Sequence, residues 1–481
     1  MTSFLIALAV LIFGYIFYGG FIARRVFPLD PERQTPAYAL RDGIDYTPMP
    51  TWRVFLVQFL NIAGLGPIFG AIMGAMFGPA AFLWIVLGTI FGGAVHDFLS
   101  AMMSLRSGGT SLPELIGDQL GRGCKVAMRV LSVVLLILVG AVFIITPAGL
   151  LADMTPGWMT TYMLVGLIFA YYLLATLLPI DKLIGRFYPI FGFALLFMAA
   201  GLMGVLLFGP HTIPDGFALG LWNRHPAADT HPIFPMMFVS IACGAISGFH
   251  ATQSPMMARC LKNERLARPV FYGAMVAEGI VALIWAAAAI TFTGGYGQLA
   301  EYMSTHAAGD LVHDVSIAWL GIGGGMLAIL GVVAAPITTG DTALRSARLI
   351  VADMLGYSQS TLVRRLIVTI PLFALTLGVM MIDFNVLWRY FAWTNQALAC
   401  FTLWAITVYL SRRGRWYIVT LLPALFLTAV CVTYILFAPR PEGLGMDLAI
   451  SFGIAVLADL GLGALFYKFC LQKNGYTQRV G

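Results

Sequence analysis

The residues of this sequence best suited to chemistry are ionisable side chains that lie inside long apolar stretches. His96 and Asp97 are adjacent, His250 follows a glycine-rich segment, and Asp341 and Arg345 are four residues apart. An ionisable group at membrane depth is expensive, and it is therefore a functional hypothesis by default. A carboxylate beside an imidazole can form a proton relay there, because both groups readily change protonation in a low dielectric. A hydrogen-bonded structural pair is the alternative for His96 and Asp97.

The densest polar stretch is PITTGDTALRSAR, at 336–348, where the ninth apolar run ends. Thr338, Asp341, Thr342 and Arg345 are spaced i, i+3, i+4 and i+7, so they would share one face of a helix. Hydroxyl and carboxylate oxygens suit Na⁺, and the carboxylate could instead bind and release a proton. The alternative is an Asp341–Arg345 pair that only stabilises a helix end at the cytoplasmic interface. We predict ion or proton coupling by four residues: His96, Asp97, Asp341 and Arg345.

Two apolar stretches are interrupted by helix-breaking residues. The stretch 54–78 contains NIAGLGPIFG, and the stretch 236–257 contains ACGAISGFH. Such a break is tolerated in a membrane only where the freed backbone lines a cavity within the protein. Half-helix N-termini and a histidine within the break could hold a carboxylate. Packing glycines and an ordinary hydrogen-bonded histidine are the alternatives. We predict a substrate site formed by Gly64, Gly66, Pro67, Ser247, Gly248, His250 and Gln253.

Three further charged residues lie in apolar surroundings. Glu278 and Asp459 are isolated, and we expect both to be interhelical hydrogen-bond partners. Arg389 lies among Trp388, Tyr390 and Trp393, which is typical of an aromatic anchor at the membrane interface. An outer gate is the alternative for Arg389.

The composition identifies a membrane protein. Of 481 residues, 60% are hydrophobic and 10% are charged, whereas soluble domains carry about 25% charged residues. This excludes a soluble enzyme, a nucleic-acid-binding module and a single-anchor receptor. The sequence contains no Walker A, GxSxG or HExxH motif. We therefore expect no enzyme activity, no cofactor other than H⁺ or Na⁺ as coupling ion, and no nucleic-acid partner.

Thirteen apolar runs are long enough to be membrane spans. Of the 28 Lys and Arg residues, 25 lie in the stretches after the odd-numbered runs or within five residues of them, which predicts that those stretches are cytoplasmic. The N-terminus would then be outside, and the C-terminus would be cytoplasmic. The runs are 4–23, 54–78, 80–105, 125–152, 157–178, 190–209, 236–257, 269–293, 316–340, 362–381, 384–409, 416–437 and 446–470.

The two interrupted runs are five spans apart, and one starts in the cytoplasm while the other starts outside. This predicts an inverted pair of five-helix repeats, which is the arrangement of many secondary transporters. The predicted organisation is as follows: an extra N-terminal helix and loop at 1–53, a first repeat at 54–209, a second repeat at 236–409, and two extra helices with a tail at 410–481.

Several longer motifs resemble those of the carbon-starvation protein (CstA) family of inner-membrane transporters, which includes peptide and pyruvate uptake systems. They are spread over most of the chain: LDPERQTPAYALRDGIDYTP (29–48), IAGLGPIFG (62–70), GGAVHDF (92–98), RSGGTSLPELI (106–116), ACGAISGFH (242–250), TTGDTALRSARLIVAD (338–353) and WRYFAWTNQALA (388–399). In GAVHDF, many relatives have Gln where this chain has His96, so His96 could alter proton coupling or bind a metal.

The resemblance implies an all-α polytopic membrane protein with the LeuT-type 5+5 fold of the amino acid–polyamine–organocation superfamily. That fold places a sodium site at the first break, which here corresponds to the backbone of Ala63 and the hydroxyls of Thr338, Thr339 and Thr342.

The function we expect is import of a small carboxylate nutrient, pyruvate-like or a short peptide, across the cytoplasmic (inner) membrane. The partners would be the small-molecule substrate and the membrane lipids; no oligomeric state is predicted. A membrane nutrient sensor that binds the same ligand with little transport is the alternative.

Overall fold

The computed structural model describes residues 1–43, 45–175, 180–359 and 361–472, which form helices and connecting loops without a strand. The first half contains α1 (Thr2–Val26), α2 (Thr51–Ile62), α3 (Gly66–Ala75), α4 (Ala80–Arg106), α5 (Leu112–Leu120), α6 (Arg122–Met154), α7 (Thr161–Ala175) and α8 (Ile180–Phe208). The second half contains α9 (Phe238–Ser240, after a π-helical turn at Ile233–Met237), α10 (Gly248–Ala258), α11 (Glu264–Thr293), α12 (Tyr296–Thr305), α13 (Ala308–Ala328), α14 (Ala334–Leu355), α15 (Leu362–Val379), α16 (Phe384–Arg412), α17 (Ile418–Phe437) and α18 (Leu448–Leu471).

The protein is an all-helical, multi-pass membrane protein. In the described part of the chain, nine helices are long and apolar enough to cross a membrane, or ten if the bent pair α2 and α3 is one span. The predicted runs at 157–178, 236–257 and 384–409 correspond to the shorter helix α7, to the interrupted pair α9 and α10, and to α16. Residues 176–178 of the fifth run and the tail at 473–481 lie outside the described residues.

The predicted boundaries of the ninth run are wrong. The run 316–340 covers the end of α13 and the start of α14, and α13 is itself kinked at Gly321, which has a φ of 64°. α14 continues to Leu355 and ends at a left-handed glycine, Gly356. Asp341 therefore lies in the middle of a buried helix rather than at a helix end near the cytoplasm. The apolar pattern missed this because polar residues of α14 face other helices instead of solvent.

α4 and α11 lie at the centre of the bundle. In the apolar part of each of these helices, 78% of the residues are buried, against 11% in α18 at the periphery. A small-residue sequence lets the neighbours of α11 approach closely, since Ala286–Ala289 are fully buried. The polar side chains that α4 and α11 carry are therefore held away from lipid.

The two helix breaks contact each other directly. A Cβ atom at Gly66 would overlap the side chain of Cys243, and one at Gly70 would lie 2.9 Å from the carbonyl oxygen of Ser240. Gly244 has a φ of 84°, and a Cβ there would lie 3.2 Å from Cα of Pro67. Glycine is thus needed for close approach of the two backbones, and at Gly244 also for a left-handed conformation.

Basic loops that are far apart in sequence lie on one face of the bundle. The carboxylate of Glu264, after α10, accepts from Arg106 at the end of α4 with distances of 3.0 and 2.8 Å, and from the N–H of Asp30 at 2.8 Å. Arg412 at the end of α16 donates to the side chain of Gln119 at 3.1 Å. The loops after the first, third, seventh and eleventh predicted runs are therefore neighbours.

The close contact between α10 and α16 predicts the effect of a methyl group at Gly248. A Cβ there would clash with the backbone of Asn395 and Ala399. We expect Gly248→Ala to lower stability by about 1–3 kcal/mol, which is usual for overpacking a core. Thermal unfolding of the purified variants measures this. Gly453→Ala is the matched control, because a Cβ at Gly453 meets open space. Equal midpoints for the two variants would contradict the contact.

Candidate functional site

Three ionisable side chains from α4 and α10 form one hydrogen-bonded cluster at the second break. The Nδ1 atom of His96 lies 2.8 Å from Asp97 Oδ1, and the Nδ1 atom of His250 lies 2.9 Å from Asp97 Oδ2. All three side chains are fully buried. The sequence suggested His96–Asp97 and His250 as separate sites, whereas the structure joins them through one carboxylate. This arrangement can hold or relay a proton without contact with solvent.

Glu278 extends this cluster to α11. Its Oε2 atom lies 3.5 Å from His250 Nε2, and its Oε1 atom accepts the backbone N–H of Gly244 at 3.0 Å. The hydroxyl of Thr89 donates to the Gly244 carbonyl oxygen at 3.0 Å. Glu278 was predicted to be an interhelical hydrogen-bond partner, whereas its hydrogen bond goes to the non-helical break, and its place beside His250 was missed. An isolated Glu in an apolar run was the only signal available.

Asn395 of α16 is a second residue that sequence reasoning missed. Its Oδ1 atom accepts from the Ser247 hydroxyl at 3.0 Å and from the Phe249 backbone N–H at 2.7 Å. This bond caps the start of α10 in place of an external group. The Phe249 N–H at the start of α10 is therefore already occupied and is not available to a substrate carboxylate. Gly248, likewise, packs against α16.

Several polar atoms near the two breaks are buried without a hydrogen-bond partner among the described residues. They include both side-chain polar atoms of Gln58, Asn61 Nδ2 and Gln253 Oε1, and all three side chains are fully buried. Buried polar groups normally have partners, so each of these needs an explanation. Gln58 and Asn61 were not predicted, although their i, i+3 spacing just before the first break places them on one face of α2.

The threonines of α14 meet the first break. Thr339 Oγ1 donates to the carbonyl oxygen of Leu60 at 3.1 Å, and Thr342 Oγ1 lies 3.4 Å from Asn61 Oδ1. Thr338 Oγ1 instead donates within its own helix, and Ala63 is the buried residue that follows α2. Hydroxyl, carbonyl and amide oxygen atoms thus lie close together at the first break. Among the described residues, no group of three or more His, Cys, Asp or Glu side chains is placed to hold a metal ion.

Asp341 faces a different helix from Thr339 and Thr342. Its Oδ2 atom accepts from the hydroxyl of Tyr188 on α8 at 2.7 Å, while Oδ1 has no hydrogen-bond partner in the described part of the chain. Arg345 donates to the carbonyl oxygen of Ala175 at 2.5 Å. Of the four polar residues predicted to share one face, Thr342 thus contacts α2, Asp341 contacts α8 and Arg345 contacts the end of α7, while the hydroxyl of Thr338 donates within α14. Tyr188 was not predicted.

A cavity of about 180 Å³ lies beside α3 and α16 on the face opposite the basic loops, and Arg389 lines it. Arg389 pairs with Glu442, and His225 and His231 stack beside this pair with ring centroids 4.6 Å apart. Burial and the neighbouring His231 lower the pKa of His225 to about 4, so this ring is neutral near pH 7. The charge of Arg389 is thus balanced inside a cavity.

Comparison with known proteins shows the family of the chain. The family model described as carbon starvation protein CstA matches residues 1–169 and 158–319. An uncharacterized membrane protein of Haemophilus influenzae is 44% identical over 340 residues, an alignment that covers 61% of this chain and 91% of that protein.

Two relatives with transport names match a shorter share of their own length. The peptide transporter CstA of Campylobacter jejuni is 29% identical, with 58% of this chain and 48% of that protein covered. The pyruvate/proton symporter BtsT of Escherichia coli is 29% identical, with 58% and 47% covered. The chain therefore matches about half the length of these two relatives.

Solved structures of similar fold include a manganese transporter from Eremococcus coleocola. It has a TM-score of 0.55 and 13% sequence identity, and the match covers 88% of this chain and 97% of that chain. At this identity the likeness concerns the fold alone.

The cap formed by Asn395 predicts a loss of stability in Asn395→Ala. The variant would leave the Phe249 N–H buried without its partner, and this costs about 1–3 kcal/mol. The thermal unfolding midpoint of the purified protein measures the loss. Gln298→Ala, which removes an exposed amide, is the control and should leave the midpoint unchanged. A midpoint for Asn395→Ala equal to that of the wild type would contradict the cap.

Proposed function

Because the chain belongs to the carbon starvation protein CstA family, we propose that it is a secondary active transporter. It imports a small carboxylate nutrient, pyruvate-like, or short peptides across the cytoplasmic membrane, driven by an H⁺ or Na⁺ gradient. The main observation in support of the proposal is that two broken helices contact each other in the centre of a helical bundle. Transporters bind their substrates at such breaks because half-helix ends offer backbone groups inside the membrane. The names of two relatives, a peptide transporter and a pyruvate/proton symporter, support the substrate range.

The architecture that we propose has thirteen spans. The first repeat occupies 54–209, the second occupies 236–409, and the segments 1–53 and 410–481 are additions. The five-span interval between the breaks and the contacts among the basic loops support this layout. The basic loops would be cytoplasmic, which puts residue 1 outside and the end of α18 inside.

The substrate would lie where the breaks meet. Gly64, Gly66 and Pro67 supply the first break, and His250 and Gln253 supply the second. The unpartnered Gln253 Oε1, together with Gln58 and Asn61 on α2, supports this placement, because a polar substrate would satisfy groups that are otherwise costly to bury. Ser247 and Gly248 would position α10 against α16, since their contacts are with Asn395.

Two places could couple transport to an ion. The oxygens around Ala63, Thr339 and Thr342 would suit Na⁺, with Thr338 one residue away on α14. The cluster of His96 and Asp97 would suit H⁺. Asp341 and Arg345 would link α14 to neighbouring helices, so that a change of charge moves α14. One helix group would then rock against the other around the central site.

Uptake into proteoliposomes tests the function. Labelled pyruvate and a labelled dipeptide are supplied under separately imposed H⁺ and Na⁺ gradients. We expect accumulation of one of these substrates under one gradient, because a symporter uses the ion gradient to concentrate its substrate. Folded, reconstituted protein that accumulates neither substrate under either gradient would contradict the proposal.

The coupling role of α14 predicts the behaviour of Asp341→Asn. The variant keeps the size of the side chain but removes its charge, so we expect gradient-driven accumulation of the transported substrate to fall while substrate exchange persists. The same proteoliposome assay measures both. Asp229→Asn, in an exposed loop, is the matched control and should behave as wild type. Full accumulation by Asp341→Asn would remove Asp341 from the coupling mechanism.

A further inference from the structure

His250 and Glu278 face each other with two unsatisfied atoms. His250 Nε2 and Glu278 Oε2 are 3.5 Å apart, and neither has a hydrogen-bond partner among the described residues. Both side chains are fully buried. The other polar atom of each side chain is already occupied, since His250 Nδ1 bonds to Asp97 and Glu278 Oε1 accepts from Gly244.

The contact between His250 and Glu278 lacks one proton. An ionised Asp97 can only accept, so the Nδ1 atoms of His96 and His250 must both carry the protons that they donate to it. In the neutral imidazole, His250 Nε2 then has a lone pair, and it faces the lone pairs of an ionised Glu278 Oε2. Two acceptors in contact repel each other. A single added proton, on either atom, converts the contact into a hydrogen bond.

The charges around the pair make it favourable to bind that proton. The titratable groups that face it are Asp97 and His96 on α4 and the thiol of Cys243 in the second break. In the described part of the chain, no Lys or Arg forms an ion pair with Asp97 or Glu278. Without the proton, two buried carboxylates lie on either side of a neutral imidazole, which is costly in a low dielectric.

We propose that the His250–Glu278 pair is the binding site of the coupling proton, with Asp97 as the group that fixes the orientation of His250. This inference rests on the proposed transport function and selects H⁺ as the coupling ion. A proton from the outer solution forms one N–H or O–H bond at the pair. The same bond breaks when the proton leaves to the cytoplasm, so the side chains are unchanged after a cycle.

The pair also has a direct connection to the helix break. Glu278 accepts from the N–H of Gly244, and Thr89 donates to its carbonyl oxygen. Gly244 lies against Pro67 of the first break, because a Cβ there would come within 3.2 Å of the Pro67 Cα. A change in the charge of Glu278 weakens or strengthens its bond to Gly244, because a charged acceptor binds an N–H more strongly than a neutral one. Proton binding is thus transmitted to the residue at which the two breaks meet.

Infrared difference spectroscopy tests the site without any substrate. The full chain in proteoliposomes is compared at about pH 9 and about pH 5, a range in which a perturbed His or Glu titrates. We expect a pH-dependent band, from a protonated carboxyl group or a protonated imidazole, that is lost in both Glu278→Gln and His250→Gln. Glu301→Gln, on an exposed face of α12, is the control and should retain it. No such band in the wild type, or a band that persists in both variants, would overturn the proposal.

Transport by Glu278→Gln separates this inference from the proposed function. The amide keeps an acceptor for the Gly244 N–H, so we expect exchange of labelled pyruvate or labelled dipeptide to persist and accumulation under an H⁺ gradient to be lost. Accumulation equal to wild type would overturn the proton site and leave the transport function intact. A wild type that accumulates neither substrate would overturn the function, while the infrared result still decides whether the pair binds a proton.

Discussion

The rest of the structure depends on satisfying backbone groups at two helix breaks inside an apolar bundle. A buried polar group without a partner costs a few kcal/mol, and lipid offers none. At the second break, Glu278 and Thr89 bond to Gly244, and Asn395 bonds to Phe249. These three side chains come from α11, α4 and α16. The backbone groups of the second break are therefore satisfied only if these three helices pack around it.

This constraint explains why a side-chain acceptor is buried at the centre of the protein. Glu278 supplies the acceptor for Gly244, and its second oxygen faces His250. His250 in turn connects to Asp97, which also binds His96. The carboxylate of Glu278 thus both completes the backbone at Gly244 and belongs to the cluster of His250 and Asp97. In the proposed mechanism, this sharing couples protonation of Glu278 or His250 to the backbone at Gly244 without a long pathway through the protein.

The sequence allowed both breaks to be predicted, because glycine and proline inside apolar runs are local signals. It also gave His250 and the threonines of α14 as candidate site residues, because their types and spacing are visible in a single segment. It did not reveal that Glu278 faces His250 or that Asn395 caps α10, because each contact joins residues far apart in the chain. The boundary error at 316–340 has a related cause, since hydropathy cannot distinguish a solvent-exposed polar helix from α14, whose polar residues face protein.

In the proposed mechanism, substrate that enters where the two helix breaks meet is transported together with a proton. The most direct test is to record the internal pH of proteoliposomes, without an imposed gradient, when the dipeptide or pyruvate is added outside. The account predicts acidification of the interior with the wild-type protein beyond that of protein-free liposomes, and none beyond it with Glu278→Gln. Substrate entry through the wild-type protein without any accompanying proton movement would contradict it.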